Sequence, residues 1–249
     1  MTDSRQIFQD ISLVRFKGIN KIINKLKNKK ISIILDFEDS SKDIFDAQNT
    51  IKLKQKCREG FEYLNLKKIK YGKIFIRINS IKSKFFKDDI LCIKKNLNKG
   101  FRIKGIFLPK VETYSDLKLL NKILNLKKNN IKLIPMIENM KGIKNLSNIL
   151  LEDKEKLIYG VHYGHFDYCL SERLWPFPEP YHREFWDIVF KIIKKCIKFK
   201  YRFIQTPFPI INNPKLFYKS ISYIKKNFLS LKLSLTIVNF DERFFEKKY

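Results

Sequence analysis

Polar and charged side chains recur in this sequence at the ends of short apolar runs, where a buried strand has no need of them. Glu138 is the clearest example, because it directly follows the apolar residues 133–137. Taken singly, each such residue is most simply a helix cap or a solvated loop residue. The residues of this kind are Asp36, Glu38, Asp39, Arg77, Asn79, Lys110, Glu112, Glu138, Asn139, His165 and Asp167.

Their recurrence at successive runs favours a shared site over unrelated caps. Several carboxylates in one concave site repel one another strongly, and a divalent cation relieves that repulsion. Hard oxygen ligands favour Mg²⁺ or Mn²⁺. The pattern therefore predicts a metal-dependent site that combines carboxylates with one Arg, one Lys and one His.

Eight apolar runs of strand length must position these residues. The runs are rich in Ile, Val, Phe and Leu, and such near-continuous apolar character is typical of parallel strands that are covered on both faces. Amphipathic stretches separate the runs. In residues 115–126, apolar side chains recur with the i, i+3, i+4 spacing of a helix with one buried face. The runs are residues 11–16, 31–39, 73–79, 105–112, 132–139, 157–164, 202–208 and 233–239.

Eight strands that alternate with helices over 249 residues predict an α/β protein with a (β/α)8 TIM barrel. We expect one domain that spans residues 1–249. An open, doubly wound sheet is the alternative, and the last strand is the weakest of the eight. In a barrel, the carboxyl ends of the strands converge on one mouth, which would bring the charged residues together.

The formal net charge of +27 raises the possibility of nucleic-acid binding. The basic residues are mostly Lys, however, and they are spread along the whole chain among Ile, Asn and Phe. This distribution favours compositional drift over a nucleic-acid surface, although the charge would also steer an anionic substrate. No apolar run reaches membrane-spanning length, and the first residues lack a signal-peptide layout, so we expect a cytoplasmic protein with no membrane partner. The four cysteines have no CxxC spacing, which predicts free thiols.

Five motifs, in order, are similar to those of the citrate lyase β-subunit-like family, also described as the HpcH/HpaI aldolase group. They are ILDFEDS (34–40), IRIN (76–79), GIFLPKVE (105–112), PMIENMKG (135–142) and YGHFDY (163–168). Typical members read LDLEDAV, VRIN, a G-V/I-x-L-PK-x-E segment, IETxxG and GxxDL. The resemblance is good over residues 31–170 and weaker on either side.

The resemblance implies a (β/α)8 barrel that makes or breaks a carbon–carbon bond next to a carboxylate or thioester. Glu138 and Asp167 match the acids that hold Mg²⁺ in the family. Arg77 matches the arginine that binds the keto acid and steadies its enolate oxygen. Glu38 and Asp39 match an acidic pair that supports metal-bound waters or the local network. Such a reaction needs positive charge at the enolate oxygen, which a metal and a guanidinium supply.

Two neighbouring residues are further candidates for substrate binding. Gly164 would allow a tight turn before Asp167, with ordinary turn chemistry as the alternative. His165 would act as a proton donor or acceptor near the metal, with a residue that lines the mouth or a hydrogen-bonded histidine as the alternative.

Three segments depart from the family pattern. Residues 171–186 are rich in Pro and aromatic residues, which predicts a loop over the site or, alternatively, a packed segment or a subunit contact. The segment QTPFPI (205–210) only faintly resembles a D-G-PF/Y segment of acyl-CoA lyases. The segment LTIVNFDERFF (235–245) lacks the His and Gln that many members carry after the last strand. Whether the substrate is a coenzyme A thioester or a free acid is therefore left open.

We expect a Mg²⁺-dependent carbon–carbon lyase that acts on a small hydroxy acid, keto acid or acyl thioester. A thioester hydrolase or a phosphoenolpyruvate-type transferase on the same site is one alternative. A non-catalytic protein that binds anions or nucleic acid is another, and the clustered carboxylates argue against it. Relatives are commonly trimers or hexamers, which predicts a homo-oligomer.

Overall fold

The computed structural model describes residues 6–12, 31–63, 74–180, 182–206, 214–228, 231 and 233–237. Within these ranges, strands and helices alternate along the chain, as the sequence predicts. The strands are β1 (Gln6–Ser12), β2 (Ile31–Asp36), β3 (Ile74–Arg77), β4 (Gly105–Leu108), β5 (Lys132–Ile137), β6 (Gly160–Tyr163), β7 (Arg202–Gln205) and β8 (Leu233–Ile237).

Helices follow β2 to β7, and a short 3-10 turn (Asp39–Ser41) follows β2 directly. The helices are α1 (Ala47–Tyr63), α2 (Phe86–Asn98), α3 (Tyr114–Leu124), α4 (Met140–Glu152), α5 (His165–Ser171), α6 (Arg183–Lys198) and α7 (Pro214–Asn227). The amphipathic stretch between the first two predicted runs includes INKIINKLKN (19–28), which we expect to form a helix; it lies outside the described residues.

All strand pairs are parallel, and the strands pair in their chain order. β1 pairs with β8 as well as with β2, which closes the ring of strands. The predicted α/β class is confirmed, and the sheet is parallel and curled. The consecutive strand order rules out a doubly wound sheet. The last strand, which had the weakest signal, pairs with both of its neighbours.

Alternating side chains of the strands form two cores. One set fills the inside of the ring, where Phe8 packs edge-on against Phe75 and Phe107, with ring centroids 4.9 and 5.4 Å away. The other set, which includes Ile33 and Leu35, faces outward and packs against apolar residues of the helices. Burial of both strand faces explains why the runs in the sequence are almost continuously apolar. The inner set is Phe8, Ile34, Phe75, Phe107, Ile134, Met136 and Ile204.

The first strand differs from the prediction. The apolar run 11–16 suggested a strand there, but β1 covers Gln6–Ser12, and residues 13–16 lie outside the described residues. The residues of β1 mix apolar side chains such as Phe8 with polar ones such as Gln9 and Asp10. A search for continuous apolar runs passes over such a segment. The strand forms because both of its neighbours supply backbone pairing.

A buried polar network lies beneath the carboxyl ends of β2 and β3. The ammonium group of Lys54, on α1, donates to the carbonyl oxygens of Phe37 and Glu38 and to Oδ1 of Asn79. Asn79 donates in turn to Asp89, from its backbone N–H at 2.9 Å and from its side chain at 2.7 Å. The three donors of Lys54 are thus all used, and they fix the backbone that carries Glu38.

Replacing Lys54→Met should lower the free energy of unfolding by about 3 kcal/mol. The change would remove one hydrogen bond from each of three buried acceptors and leave Oδ1 of Asn79 without its donor. Asp89 would also lose a nearby positive charge. Urea denaturation at neutral pH would measure the effect. Lys52→Met is the matched control, because Lys52 is exposed on the same helix and should change stability little. Equal effects of the two substitutions would contradict a structural role for the Lys54 contacts.

Candidate active site at the carboxyl ends of the strands

An arginine–aspartate pair anchors one side of the mouth. Asp36 and Arg77 are the last residues of adjacent strands, and they stand opposite each other in register. The guanidinium binds the carboxylate through two atoms of each group, with Nε–Oδ1 at 2.7 Å and Nη2–Oδ2 at 2.6 Å. The backbone N–H groups of Glu38 and Ser40 also donate to Asp36, both at 2.8 Å.

This pairing fixes the charge and the orientation of Arg77. Burial by itself would raise the pKa of Asp36, but the Arg77 guanidinium and the backbone donors hold that pKa below its ordinary value. Asp36 is therefore an ionised carboxylate that locks two guanidinium nitrogens. The third nitrogen, Nη1, lies 3.2 Å from Asp39 and 3.7 Å from Glu38 Oε2. The plane of the guanidinium is thus set by Asp36, which had no assigned role in the sequence analysis.

Glu38 is a buried carboxyl group with an unsatisfied oxygen. Its Oε2 has no hydrogen-bond partner among the described residues, although Arg77 Nη1 is nearby. Burial, and then the charge of Glu138, raise the pKa of Glu38 well above its ordinary value. Because its oxygen lacks a donor, Glu38 is suited to hold a proton or to face a cation.

Glu138 follows β5 directly and is also buried. Its Oε2 accepts the backbone N–H of Lys110 at 2.8 Å. A Cβ atom on Gly164 would lie only 2.5 Å from Glu138 Cγ, so glycine is required there for the carboxyl group to fit. Burial and the charge of Asp167 raise the pKa of Glu138 to about 8. Asn139, next in the chain, caps α4 by accepting the N–H of Gly142 at 2.7 Å.

Lys110 contacts both predicted metal ligands and was not assigned a role from the sequence. Its backbone holds Glu138, and its Nζ lies 3.1 Å from Oδ1 of Asp167, in the first turn of α5. The residue has a φ of 57°, a left-handed conformation that is uncommon for lysine. Burial lowers its pKa, but the charge and hydrogen bond of Asp167, together with the charges of Glu38 and Glu138, outweigh burial and raise the pKa. The Pro-Lys pair after β4 is part of the family motif, so the sequence offered a signal for Lys110. The contacts of Lys110 with Glu138 and Asp167, however, depend on its left-handed conformation, which the motif does not specify.

The donor set fits a hydrated magnesium ion. Among the residues that the structure describes, no cluster of three or more His, Cys, Asp or Glu side chains is arranged to hold a metal. Glu138 and Asp167 are nevertheless close enough for one charge to raise the pKa of the other carboxyl. Mg²⁺ usually binds through one or two carboxylates and keeps several waters. The buried, unsatisfied oxygen of Glu38 could accept a hydrogen bond from such a water.

The described hydrogen bonds of His165 go to residues other than Glu38, Glu138 and Asp167. Its side chain is buried, with Nε2 at 2.7 Å from the carbonyl oxygen of Pro178 and Nδ1 at 3.0 Å from the Tyr163 hydroxyl. Burial lowers its pKa, which keeps the ring neutral at pH 7. The described contacts of His165 thus match the alternative of a hydrogen-bonded structural histidine. Gly164, by contrast, lies directly against Glu138.

The segment 171–186 is attached mainly to the helices beside β6. Glu172 accepts the backbone N–H of Met140 at 2.8 Å, and Trp186 donates to the carbonyl oxygen of Pro180 at 2.8 Å. Trp175 is 82 % exposed, while Phe177 is partly buried against the outer core. These contacts support packing for part of the segment, and its proposed function as a loop over the site remains a prediction.

Two other expectations concern the cysteines and membrane-spanning helices. The four cysteines are free, as predicted, and all four are buried. None of the described helices combines the length and the apolar character that crossing a bilayer requires.

Comparison with known proteins agrees with this geometry. The sequence profile of the HpcH/HpaI aldolase/citrate lyase family matches residues 28–234. The chain therefore belongs to the HpcH/HpaI aldolase/citrate lyase family. No curated protein matches the sequence closely enough to refine that assignment.

Solved structures share the fold at low sequence identity. RipC from Yersinia pestis has a TM-score of 0.64 and 15 % identity, over 94 % of this chain and 89 % of that one. CitE from Mycobacterium tuberculosis, in complex with magnesium and acetate, has a TM-score of 0.68 and 14 % identity, over 94 % and 85 %. The citrate lyase β subunit from M. tuberculosis, complexed with oxaloacetate and magnesium, has a TM-score of 0.68 and 14 % identity, over 94 % and 92 %.

Glu138→Gln should stabilise the metal-free protein at pH 8. The pKa of Glu138 is about 8 in the folded protein and 4.5 ordinarily, so the folded state binds the proton more tightly between these values. The free energy of unfolding contributed by this group therefore falls as pH rises through that window. Glutamine removes the buried charge but can still accept the Lys110 N–H. Thermal denaturation with a chelator at pH 5 and pH 8 should give a larger stabilisation at pH 8.

Glu155→Gln is the control for this measurement, because Glu155 is exposed. Its effect on the melting temperature should be small and should not change between the two pH values. A loss of stability in Glu138→Gln at both pH values would mean that the ionised Glu138 is favourable in the folded protein, against the argument above.

Lys110→Met should raise the affinity for Mg²⁺ by about tenfold, equivalent to about 1.4 kcal/mol. The ammonium group neutralises Asp167 in the metal-free protein, and a metal must compete with it. Calorimetric titration of Mg²⁺ into chelator-treated protein would measure the change. Lys104→Met is the control, because Lys104 is exposed just before β4, at the opposite end of the ring. Weaker binding by Lys110→Met would show that the ammonium group holds Asp167 in position for the metal and does not compete with it.

Proposed function

We propose that this protein is a Mg²⁺-dependent carbon–carbon lyase that cleaves a small hydroxy acid or keto acid, or its acyl thioester, through an enolate. The observation that carries the proposal is the Arg77 guanidinium, locked by Asp36 and directed towards Glu38. Membership in the aldolase and citrate lyase family supports the lyase class. We further propose a single (β/α)8 barrel over residues 1–249, which assembles as a homotrimer or homohexamer in the cytoplasm.

Glu138 and Asp167 are the residues that would hold the metal. A bound Mg²⁺ would supply positive charge for the negative charge that develops on the substrate oxygen. Mn²⁺ would serve the same purpose with similar ligands. Fold neighbours support this choice, because CitE from M. tuberculosis forms complexes with magnesium and pyruvate and with magnesium and acetoacetate.

Arg77 binds and orients the substrate in this proposal. Its Nη1, which is not engaged by Asp36, donates to the substrate carboxylate or to the enolate oxygen that forms from it. Asp36 keeps the guanidinium plane fixed, so little reorganisation is needed as charge develops. Asp39, which lies 3.2 Å from Nη1 and is about half exposed, gives way to the substrate or remains at its edge.

Glu38 carries the proton in this scheme. Its ionised Oε2 accepts the proton of the substrate hydroxyl, and the electron pair of the O–H bond forms the new carbonyl. The carbon–carbon bond breaks, and its electron pair passes to the enolate of the departing acid. The same proton then returns from Glu38 to the enolate carbon. The raised pKa of Glu38 suits this role, because a carboxylate with a raised pKa is a stronger base towards the substrate hydroxyl than an ordinary carboxylate.

The substrate is either a free acid or a coenzyme A thioester. One fold neighbour was solved with magnesium, acetoacetate and coenzyme A, which supports thioester binding in that protein. Residues 238–245, where many family members carry His and Gln, lie outside the described residues here. The sequence at that place lacks both residue types, which favours a free acid.

Product analysis with purified protein tests the proposal. Free 4-hydroxy-2-oxo acids, 3-hydroxy dicarboxylic acids and their coenzyme A thioesters would be incubated with Mg²⁺, and keto-acid fragments would be detected by NMR. We expect cleavage of one of these classes, with Glu138→Gln or Asp167→Asn lowering kcat/KM at least about 100-fold. Glu155→Gln should leave the rate unchanged. Activity that persists in both variants with a chelator present would refute the mechanism, and hydrolysis without a new keto acid would indicate a thioester hydrolase.

A further inference from the structure

A histidine lies inside the ring of strands, among apolar side chains. His162 is on β6, and its register partners are Met136 on β5 and Ile204 on β7. Both partners belong to the inner set that fills the ring. Because paired residues of parallel strands point to the same face of a sheet, the imidazole points inward too. Its ring packs edge-on against Phe107, another member of the inner set, with the two centroids 5.7 Å apart.

His162 occupies the layer of the ring directly below the Glu138 carboxyl. Two residues further towards the mouth, the next inward-facing positions are Glu138 after β5 and Gly164 after β6. Gly164 has no side chain, and Glu138 fills that space, because a Cβ atom on Gly164 would clash with Oε1 of Glu138. Successive inward positions of a strand are about 6.6 Å apart, which is close to the span of two hydrogen bonds that share one water.

The imidazole of His162 is buried with an unsatisfied nitrogen. Its Nδ1 has no hydrogen-bond partner among the described residues. Burial, and then the charge of Arg77, lower the pKa of His162 to about 3, so the ring is neutral at pH 7. An unpaired buried polar atom is unfavourable, and an apolar side chain of similar size would fill this place without that penalty. Packing alone therefore does not account for a histidine at this position.

The Glu138 carboxyl has a hydrogen-bond donor on one side. Its Oε2 accepts the backbone N–H of Lys110 at 2.8 Å. Carboxylates that bind metals are usually oriented by further hydrogen bonds from groups behind them. Buried waters typically connect polar groups that the protein itself leaves unsatisfied. The space between His162 and Glu138 has such groups at both ends.

We propose that His162 is a positioning residue for Glu138, and that its Nδ1 holds one water that hydrogen-bonds to the carboxyl group from below. The inference rests on the proposed function, because it takes Glu138 as a metal ligand. Nδ1 donates to the water or accepts from it, according to the tautomer, and the water donates to Glu138. The carboxyl group is then held from two sides, by the Lys110 N–H and by the water, with its remaining lone pairs directed at the metal.

A high-resolution crystal structure of the purified protein tests the water directly. We expect an ordered water within about 3.2 Å of both His162 Nδ1 and a carboxyl oxygen of Glu138. A direct contact between the two side chains, or a dry space closed by apolar side chains, would overturn the inference. Neither of these two results would touch the proposed function, because Glu138 could bind a metal without this support.

Calorimetric titration of Mg²⁺ into chelator-treated variants tests the positioning. His162→Leu removes both ring nitrogens, whereas His162→Asn keeps a polar atom at the place of Nδ1. We expect the Kd for Mg²⁺ to rise at least about tenfold in His162→Leu and to stay within about threefold of the wild-type value in His162→Asn. Met136→Leu is the matched control for repacking of the same layer, and it should leave the Kd unchanged.

The outcomes separate this inference from the proposed function. Equal Kd values in wild type and His162→Leu, or equal losses of affinity in His162→Leu and His162→Asn, would overturn the inference alone, provided that Glu138→Gln weakens binding. If His162→Leu does not fold, the crystal structure and the affinity of His162→Asn still decide the question. Wild-type protein that binds no Mg²⁺ would overturn the proposed function and this inference together.

Discussion

The bidentate pair between Arg77 and Asp36 sets the geometry on which the rest of the mouth depends. It joins the last residues of two adjacent strands, so the pairing of the sheet itself determines where the guanidinium lies. A guanidinium held at two nitrogens in a plane can present only its remaining edge to a ligand. Because Asp36 also accepts two backbone N–H groups, the turn after β2 is folded around the same carboxylate.

This arrangement separates carboxylates of two kinds. Asp36 has its full set of donors and a lowered pKa, so it serves as a permanent anion. Glu38 and Glu138 are buried beside other acids, with raised pKa values and fewer donors. Neighbouring acids whose environments move their pKa values in opposite directions are typical of sites in which one group orients and another exchanges a proton or binds a cation. The proposed division of roles follows from that contrast.

The strand ends and the acid at the end of β5 could be predicted from the sequence, because continuous apolar runs and a terminal carboxylate are local patterns. The partner of Arg77 could not, because it depends on which residue of β2 stands opposite β3. The two contacts of Lys110 depend on a left-handed turn that no short pattern specifies. His165 has a sequence position next to the acids, but its side chain turns towards Tyr163 and Pro178. The sequence shows that the backbone of His165 lies near the acids, but the direction of its side chain depends on tertiary packing.

The large positive charge of the chain does not by itself balance the buried acids. Exposed charges that lie more than about 8–10 Å away are largely screened at physiological ionic strength. The cations that act on Glu38 and Glu138 are therefore the near ones, Arg77, Lys54 and Lys110. The distant lysines act on ligands in solution, where they increase the rate of encounter with anions. A chain with net charge +27 can thus have a mouth in which buried carboxylates raise one another's pKa, because the two effects operate at different distances.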